Sequence, residues 1–224
     1  MSAIFSEETR LERLVQKLAR LRALDPDLQQ FGALEHEYRL RPTLSEQALA
    51  AFEREHGLTL PAEYRLFLER VGNGGAGPYY GLVPLAAWRP ELMLVSIVVE
   101  FEGDELVRVD GKPLMIDLGP RPNIDRRADP SRPFLLEGPW PQRNNDVLPA
   151  EDAHPFDGCT LLAEMGDGYR CFLVITGCRA GEVWEEDTHG VAYEAVRPAG
   201  CTFLTWYELW LDDTIHACRG EAAP

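Results

Sequence analysis

Long hydrophobic runs are missing from this chain of 224 residues. The longest, Leu92 to Val99, is broken by Ser96 and stops at Glu100, well short of the ~20 apolar residues a membrane helix needs, so it reads as a strand. The opening stretch, Met1 to Arg10, places acidic and hydroxyl side chains before any apolar run. It therefore lacks the basic and apolar regions of a signal peptide, and the expected location is the cytoplasm. Paired cysteine spacing is absent as well. Cys159, Cys171, Cys178, Cys201 and Cys218 are odd in number and contain no C-x-x-C, which argues against a disulfide framework or zinc knuckle and for buried thiols in a reducing compartment.

Basic charge is scarce: 22 Lys and Arg against 37 Asp and Glu give a formal net charge of -15. The summed field repels nucleic acid and anionic lipid and attracts basic surfaces, and it also serves plain solubility. Catalytic and metal-binding spacings are lacking too. His36, His56, His154, His189 and His216 are scattered, with no H-x-x-x-H or H-E-x-x-H and no evident cysteine partner, so neither a metal, a cofactor nor a Cys-His nucleophile is expected.

What is present is a clear alternation of helix signals followed by strand signals. Leu11, Leu14, Val15, Leu18 and Leu21 recur at helical spacing between Glu8 and Leu24, with Pro26 just beyond; this predicts an amphipathic helix. A weaker helical stretch spans Leu28 to Leu40 and stops before Pro42. Ser45 is placed to cap a third helix, Leu44 and Leu49 to staple it, and Gly57 to end it. Pro61 opens a fourth, whose buried side is Tyr64, Phe67, Leu68 and Val71 and whose stop is Gly72.

Beyond the glycine-rich stretch from Gly72 to Gly81 the pattern turns to β. Strands are expected at Leu82–Leu85, Leu92–Phe101, Glu105–Val109, Lys112–Leu118, Thr160–Ala163, Tyr169–Thr176 and Glu182–Glu185, with a long irregular connection from Gly119 to Pro155. Thr202 then caps a closing helix with Leu204, Tyr207, Leu211 and Ile215 on one face and Trp206 and Trp210 nearby. Helices first, strands next and one closing helix is the order of an α+β fold. Gly72-Asn73-Gly74-Gly75-Ala76-Gly77 satisfies G-x-G-x-x-G, but a helix precedes it and Pro78-Tyr79-Tyr80 follows. A dinucleotide site needs the reverse order, so the motif reads as a helix stop and tight loop.

Leu49-x-x-Phe52-Glu53, Gly57-x-x-Leu60-Pro61-x-x-Tyr64-x-x-Phe67-Leu68 and Asn73-Gly74-Gly75, in that order, resemble the signature of the SUKH superfamily, the Smi/Knr-type domain. Gly166-Asp167-Gly168, Gly181-Glu182-Val183-Trp184 and Phe203-Leu204-x-Trp206-x-x-x-Trp210-Leu211 resemble its later blocks. The resemblance runs from about Thr43 to Asp213 and implies a mixed or antiparallel sheet with helices packed against it, preceded here by an N-terminal helical arm. The expected division is an arm at 1–42, a SUKH-like domain at 43–215 and a tail at 216–224. Within the motifs, Leu60, Pro61, Tyr64, Phe67, Asn73, Gly74, Gly75, Trp206 and Trp210 carry structure rather than chemistry. Bacterial members of such a family are immunity proteins that bind and neutralise a cognate secreted toxin, often a nuclease; eukaryotic relatives regulate cell-wall synthesis and signalling. No catalytic residue is implied.

Partner-binding candidates follow from chemistry. Glu185, Glu186 and Asp187 beside Trp184 form a carboxylate rim around an aromatic anchor, the arrangement that suits a basic protein partner; a solvated hairpin tip is the plainer alternative. Tyr79, Tyr80, Trp88 and Trp140 fall in loop-like segments and are further anchors, against the alternative of burial. The expected function is occlusion of a basic cognate toxin, with no nucleic acid and no membrane as partner. The competing readings are a regulatory scaffold of the cell-wall signalling kind and a hydrolase whose catalytic groups are scattered in sequence.

Overall fold

The computed structural model describes residues 2–85, 99–102, 105–109, 112–113, 128–139, 153–166, 169–186 and 196–220. Helix α1 (Ser2–Leu24) buries Leu11, Leu14, Leu18 and Leu21, while Val15 falls off that stripe and is exposed. Its partner is the closing helix α5 (Phe203–Cys218). Charged pairs cross the seam: Arg10 reaches Glu208 at 3.0 Å, and Lys17 reaches Glu208 at 2.9 Å and Asp212 at 2.7 Å. The α1 leucines share one core with residues of α4 and α5.

The expected helix at Leu28–Leu40 is not formed. Only one turn, α2 (Ala33–His36), is helical, because Leu28, Gly32, Glu37 and Tyr38 are left-handed. Tertiary bonds override the local propensity: the Asp25 carboxylate accepts from the amides of Gln29 at 2.7 Å and Gln30 at 3.1 Å and from the Tyr38 hydroxyl at 2.6 Å. Gly32 also lies directly against the Tyr79 carbonyl, where any Cβ would collide.

Helix α3 (Glu46–His56) starts as its sequence directs, with the Ser45 hydroxyl accepting from the Ala48 amide at 3.2 Å, and it ends at left-handed Gly57. Helix α4 (Ala62–Arg70) follows Pro61 and buries Tyr64, Phe67 and Leu68. The Phe203 ring lies 4.9 Å from Tyr64 and 5.1 Å from Phe67, edge-on in both cases, which locks α4 to α5. Thr202 makes no side-chain cap to α5; the amide of Leu204 instead donates to the Glu63 carboxylate on α4 at 3.3 Å. In the glycine-rich loop, the buried Asn73 side chain accepts from the Leu85 amide at 2.8 Å. Gly74 there has φ 87° and backs onto the Leu82 carbonyl.

Strands β1 (Val99–Glu102), β2 (Glu105–Val109) and β3 (Lys112–Pro113) form a small antiparallel sheet in that order. The main sheet is an antiparallel meander of β4 (Cys159–Gly166), β5 (Tyr169–Val174), β6 (Glu182–Glu186) and β7 (Val196–Thr202). The expected strand at Leu82–Leu85 is reduced to single bridges from Leu82 to Gly75 and Ala163. Strand β7 had no sequence signal, since it contains Pro198 and Gly200; an edge position tolerates both.

Both faces of the meander are buried. Leu162, Cys171, Leu173 and Val183 face the helices, whereas Leu161, Phe172, Val174 and Trp184 face a second core closed by Phe134, Leu136 and Phe156. Alternation along β6 thus puts Trp184 inside the protein, fully buried and edge-on to Phe134 at 4.8 Å. It is a core residue and not the exposed anchor expected from its sequence neighbours.

Candidate functional site

Helix α5 carries two apolar stripes. One, at Leu204, Tyr207, Leu211 and Ile215, is in the core; the other, at Trp206, Leu209 and Trp210, continues along the same neighbouring face into the polar Asp213 and Thr214. This second stripe forms one wall of an open groove. The opposite wall is Phe31 with the Pro78-Tyr79 turn, and the floor is Glu185 of β6 with Ala199 and Cys201 of β7. Two adjoining hollows of about 440 and 340 Å³ make up the groove, sharing Phe31, Tyr79 and Glu185.

Three apolar residues at the groove and its rim project into solvent. Phe31 is 61% exposed, Leu209 50% and Tyr80 44%. Phe31 and Tyr80 hold one another at 5.2 Å between ring centres, and Tyr80 also lies over Gly166, where a side chain would press on the ring. Tyr79, left-handed at φ 55°, is set by the contact of its carbonyl with Gly32; burial pushes its phenol up to about 12. Trp210 is braced by Tyr207 at 5.3 Å and edge-on by His36 at 5.9 Å. Residues far apart in the chain thereby present one rigid aromatic surface, the kind that anchors protein partners.

The charged groups that line the groove are more often acidic than basic. Asp213 has no ion-pair partner among the described residues, and Glu185 makes a long, exposed contact with Arg197 at 3.4 Å. Glu186, expected at a solvated tip, is instead 2% exposed and held by Arg170 at 2.7 Å. Burial raises its carboxyl to about 7 against the opposing pull of the Arg170 charge. Of the partner-binding residues read from the sequence, the structure brings Tyr79, Tyr80 and Glu185 to the groove and its rim. It buries Trp184 and Glu186, and Trp88, Trp140 and Asp187 lie outside the described residues. Trp206 and Trp210, read as structural, line the groove too.

The hydroxyl and thiol that line the groove are poorly placed for nucleophilic chemistry. The Thr214 hydroxyl donates to the Trp210 carbonyl at 2.6 Å, and burial pushes the Cys201 thiol up, as it does those of Cys159 and Cys171. A thiol so shifted is a poor source of nucleophilic thiolate. Among the described residues no group of three His, Cys, Asp or Glu is placed to hold a metal ion, and no helix is long and apolar enough to cross a membrane.

Sequence reasoning missed Phe31 and Leu209. The second stripe on α5 was a usable signal for Leu209, whereas Phe31 reaches Tyr79 and Tyr80 only through the irregular turn that replaces the expected helix. Among known proteins, the model of the SMI1 / KNR4 family (SUKH-1) matches residues 43–184, well over half of the chain. The match stops at Trp184, so the α5 wall, the Glu185 floor and Phe31 all lie outside it. No curated protein and no solved structure matches.

Proposed function

Since this chain belongs to the SMI1 / KNR4 (SUKH-1) family, we propose that it is an immunity protein acting in the cytoplasm, which neutralises a basic cognate toxin by seating part of it in the groove between α5, the Pro78-Tyr79 turn and β6–β7. The family is known for immunity-type proteins and is generally non-catalytic. One observation carries the mode of action: an open, aromatic groove bordered by carboxylates on a chain of net charge -15. Its apolar anchors slow dissociation once the partner is seated, and the acidic field speeds the encounter with a basic surface.

Co-expression with the toxin encoded beside it tests the proposal. Growth is expected to be restored and the two proteins to co-purify. In a binding assay the association rate is expected to fall roughly tenfold between low and physiological salt, as screening shortens the reach of the field. Unrescued growth without co-purification would remove the immunity reading, and a rate indifferent to salt would remove the steering.

A further inference from the structure

We propose that Glu185 is the carboxylate that receives an arginine side chain of the bound partner, and that Arg197 is a placeholder which leaves Glu185 when that arginine arrives. This rests on the immunity reading only for the origin of the arginine. Strand register decides which side of the sheet is involved. Glu185 on β6 lies directly between Cys171 on β5 and Arg197 on β7. Alternation puts these three on the helix side, with Leu173 and Val183, and turns Trp184 and Glu186 to the opposite side. Glu185 and Arg197 both line the groove, and Glu185 borders both of its hollows.

The Glu185–Arg197 pair is easily opened. It is a single contact from Arg197 Nη2 to Glu185 Oε2 at 3.4 Å, between side chains that are 22% and 53% exposed for the carboxylate and the guanidinium. Neither side chain has another hydrogen bond or ion pair among the described residues. Most of the guanidinium N–H groups and the second carboxylate oxygen are therefore uncommitted, and an exposed one-point pair adds little to stability. On the other side of the sheet, Arg170 holds Glu186 at 2.7 Å in a mostly buried pair, so the looseness is particular to the groove side.

The surroundings of Glu185 select arginine as the newcomer. The Tyr79 phenol, pushed up mainly by burial, also feels Glu185 and Arg197 with opposite sign, so ring, carboxylate and guanidinium share one corner. Phe31, Met165 and Tyr169 complete the hollow. A guanidinium sheds water more readily than an ammonium, offers a carboxylate two parallel N–H bonds and stacks on aromatic faces. Arg197 makes only one such bond from its place across the strand pair, whereas an arginine entering from solvent is free to make two. Until it is displaced, Arg197 competes for Glu185 and repels the incoming charge, which makes it a brake on binding. A second copy of so acidic a chain is disfavoured as occupant by charge.

The test is an NMR titration of the full chain with a short peptide amide of alternating leucine and arginine, and with versions carrying lysine or the neutral isostere citrulline in place of arginine. The arginine peptide is expected to bind saturably and about tenfold more tightly than the citrulline one, with lysine between. Glu185→Gln is expected to bring arginine to the citrulline level. Arg197→Gln is expected to tighten arginine binding about threefold, and to do so only while Glu185 is present. In the wild type the Arg197 Nε–H resonance should move, as peptide is added, toward its position in the Glu185→Gln protein. An unchanged melting temperature checks that both variants are folded. No saturable binding, equal binding of arginine and citrulline or of arginine and lysine, undiminished affinity in Glu185→Gln, or the same gain from Arg197→Gln without Glu185 would overturn the exchange. Growth protection is scored separately. Protection without an arginine response sinks the exchange alone, and an arginine response without protection sinks the immunity reading alone.

Discussion

Trp184→Ala is expected to destabilise the protein by about 3–5 kcal/mol, the cost of emptying a large aromatic site in a close-packed core. The indole is fully buried on the sheet face opposite the helices, edge-on to Phe134 and in one cluster with Phe172, Val174 and Leu136. Its Nε1–H donates to Glu182 at 3.3 Å, a contact the truncation also removes, although Glu182 keeps its pair with Arg179. Segment 128–139 covers this face through Phe134 and Leu136 and is otherwise tied at the Phe134 amide, which donates to the Thr176 carbonyl at 3.1 Å, and at Asp129 and Arg132. Loss of the ring should therefore show as faster amide exchange at Leu136 before the rest of the segment. Urea unfolding measures the total. A Trp184→Ala protein with wild-type stability and lost partner binding would return this residue to the surface role its sequence context suggested.

The second large effect concerns binding and leaves the fold alone. Phe31 and Leu209 are the most exposed apolar side chains on the groove, and neither belongs to the buried cluster that closes the core. Phe31→Ser combined with Leu209→Arg is expected to shift unfolding stability by only about 0.5 kcal/mol per site, as surface changes do. Toxin binding should weaken by about 2 kcal/mol or more, roughly thirtyfold, because an aromatic anchor is lost and a positive charge is placed where a basic partner docks. Loss of growth protection with an unchanged melting temperature is the expected readout. Retained protection would show that the partner sits elsewhere.

Much of the fold is readable from residue patterns, because those patterns encode local physics. Ser45, Gly57 and Pro61 bound α3 and α4 by capping chemistry alone, and the leucine spacing of α1 marks its buried stripe. The expected meander likewise follows from short apolar, strand-prone runs in β4, β5 and β6, continuous because both faces are buried. What escapes is decided by distant contacts. Asp25 unwinds the 28–40 region by bonding across it, and β7 hides behind a proline that only an edge strand accepts. Alternation assigns Trp184 and Val183 to opposite faces, but nothing local tells that Phe134 and Leu136 cover one of them.

The groove shows the same division. Tyr79, Tyr80 and Glu185 could be picked out as aromatic and acidic residues in turns, and the second stripe on α5 was there to be read. Their convergence with Phe31 depends on Gly32 meeting the Tyr79 carbonyl, a contact between segments almost fifty positions apart. Burial of Glu186 against Arg170 is equally a product of strand register.

Hydrogen–deuterium exchange on the purified complex puts the docking surface to its most direct trial. Contact with the toxin is expected to slow exchange in the α5 stripe around Leu209 and Trp210 and in the turns holding Phe31 and Tyr79, leaving β1–β3 unaltered. Protection confined to β1–β3 or to the outer face of α1, with those turns and α5 exchanging as in the free protein, would contradict it.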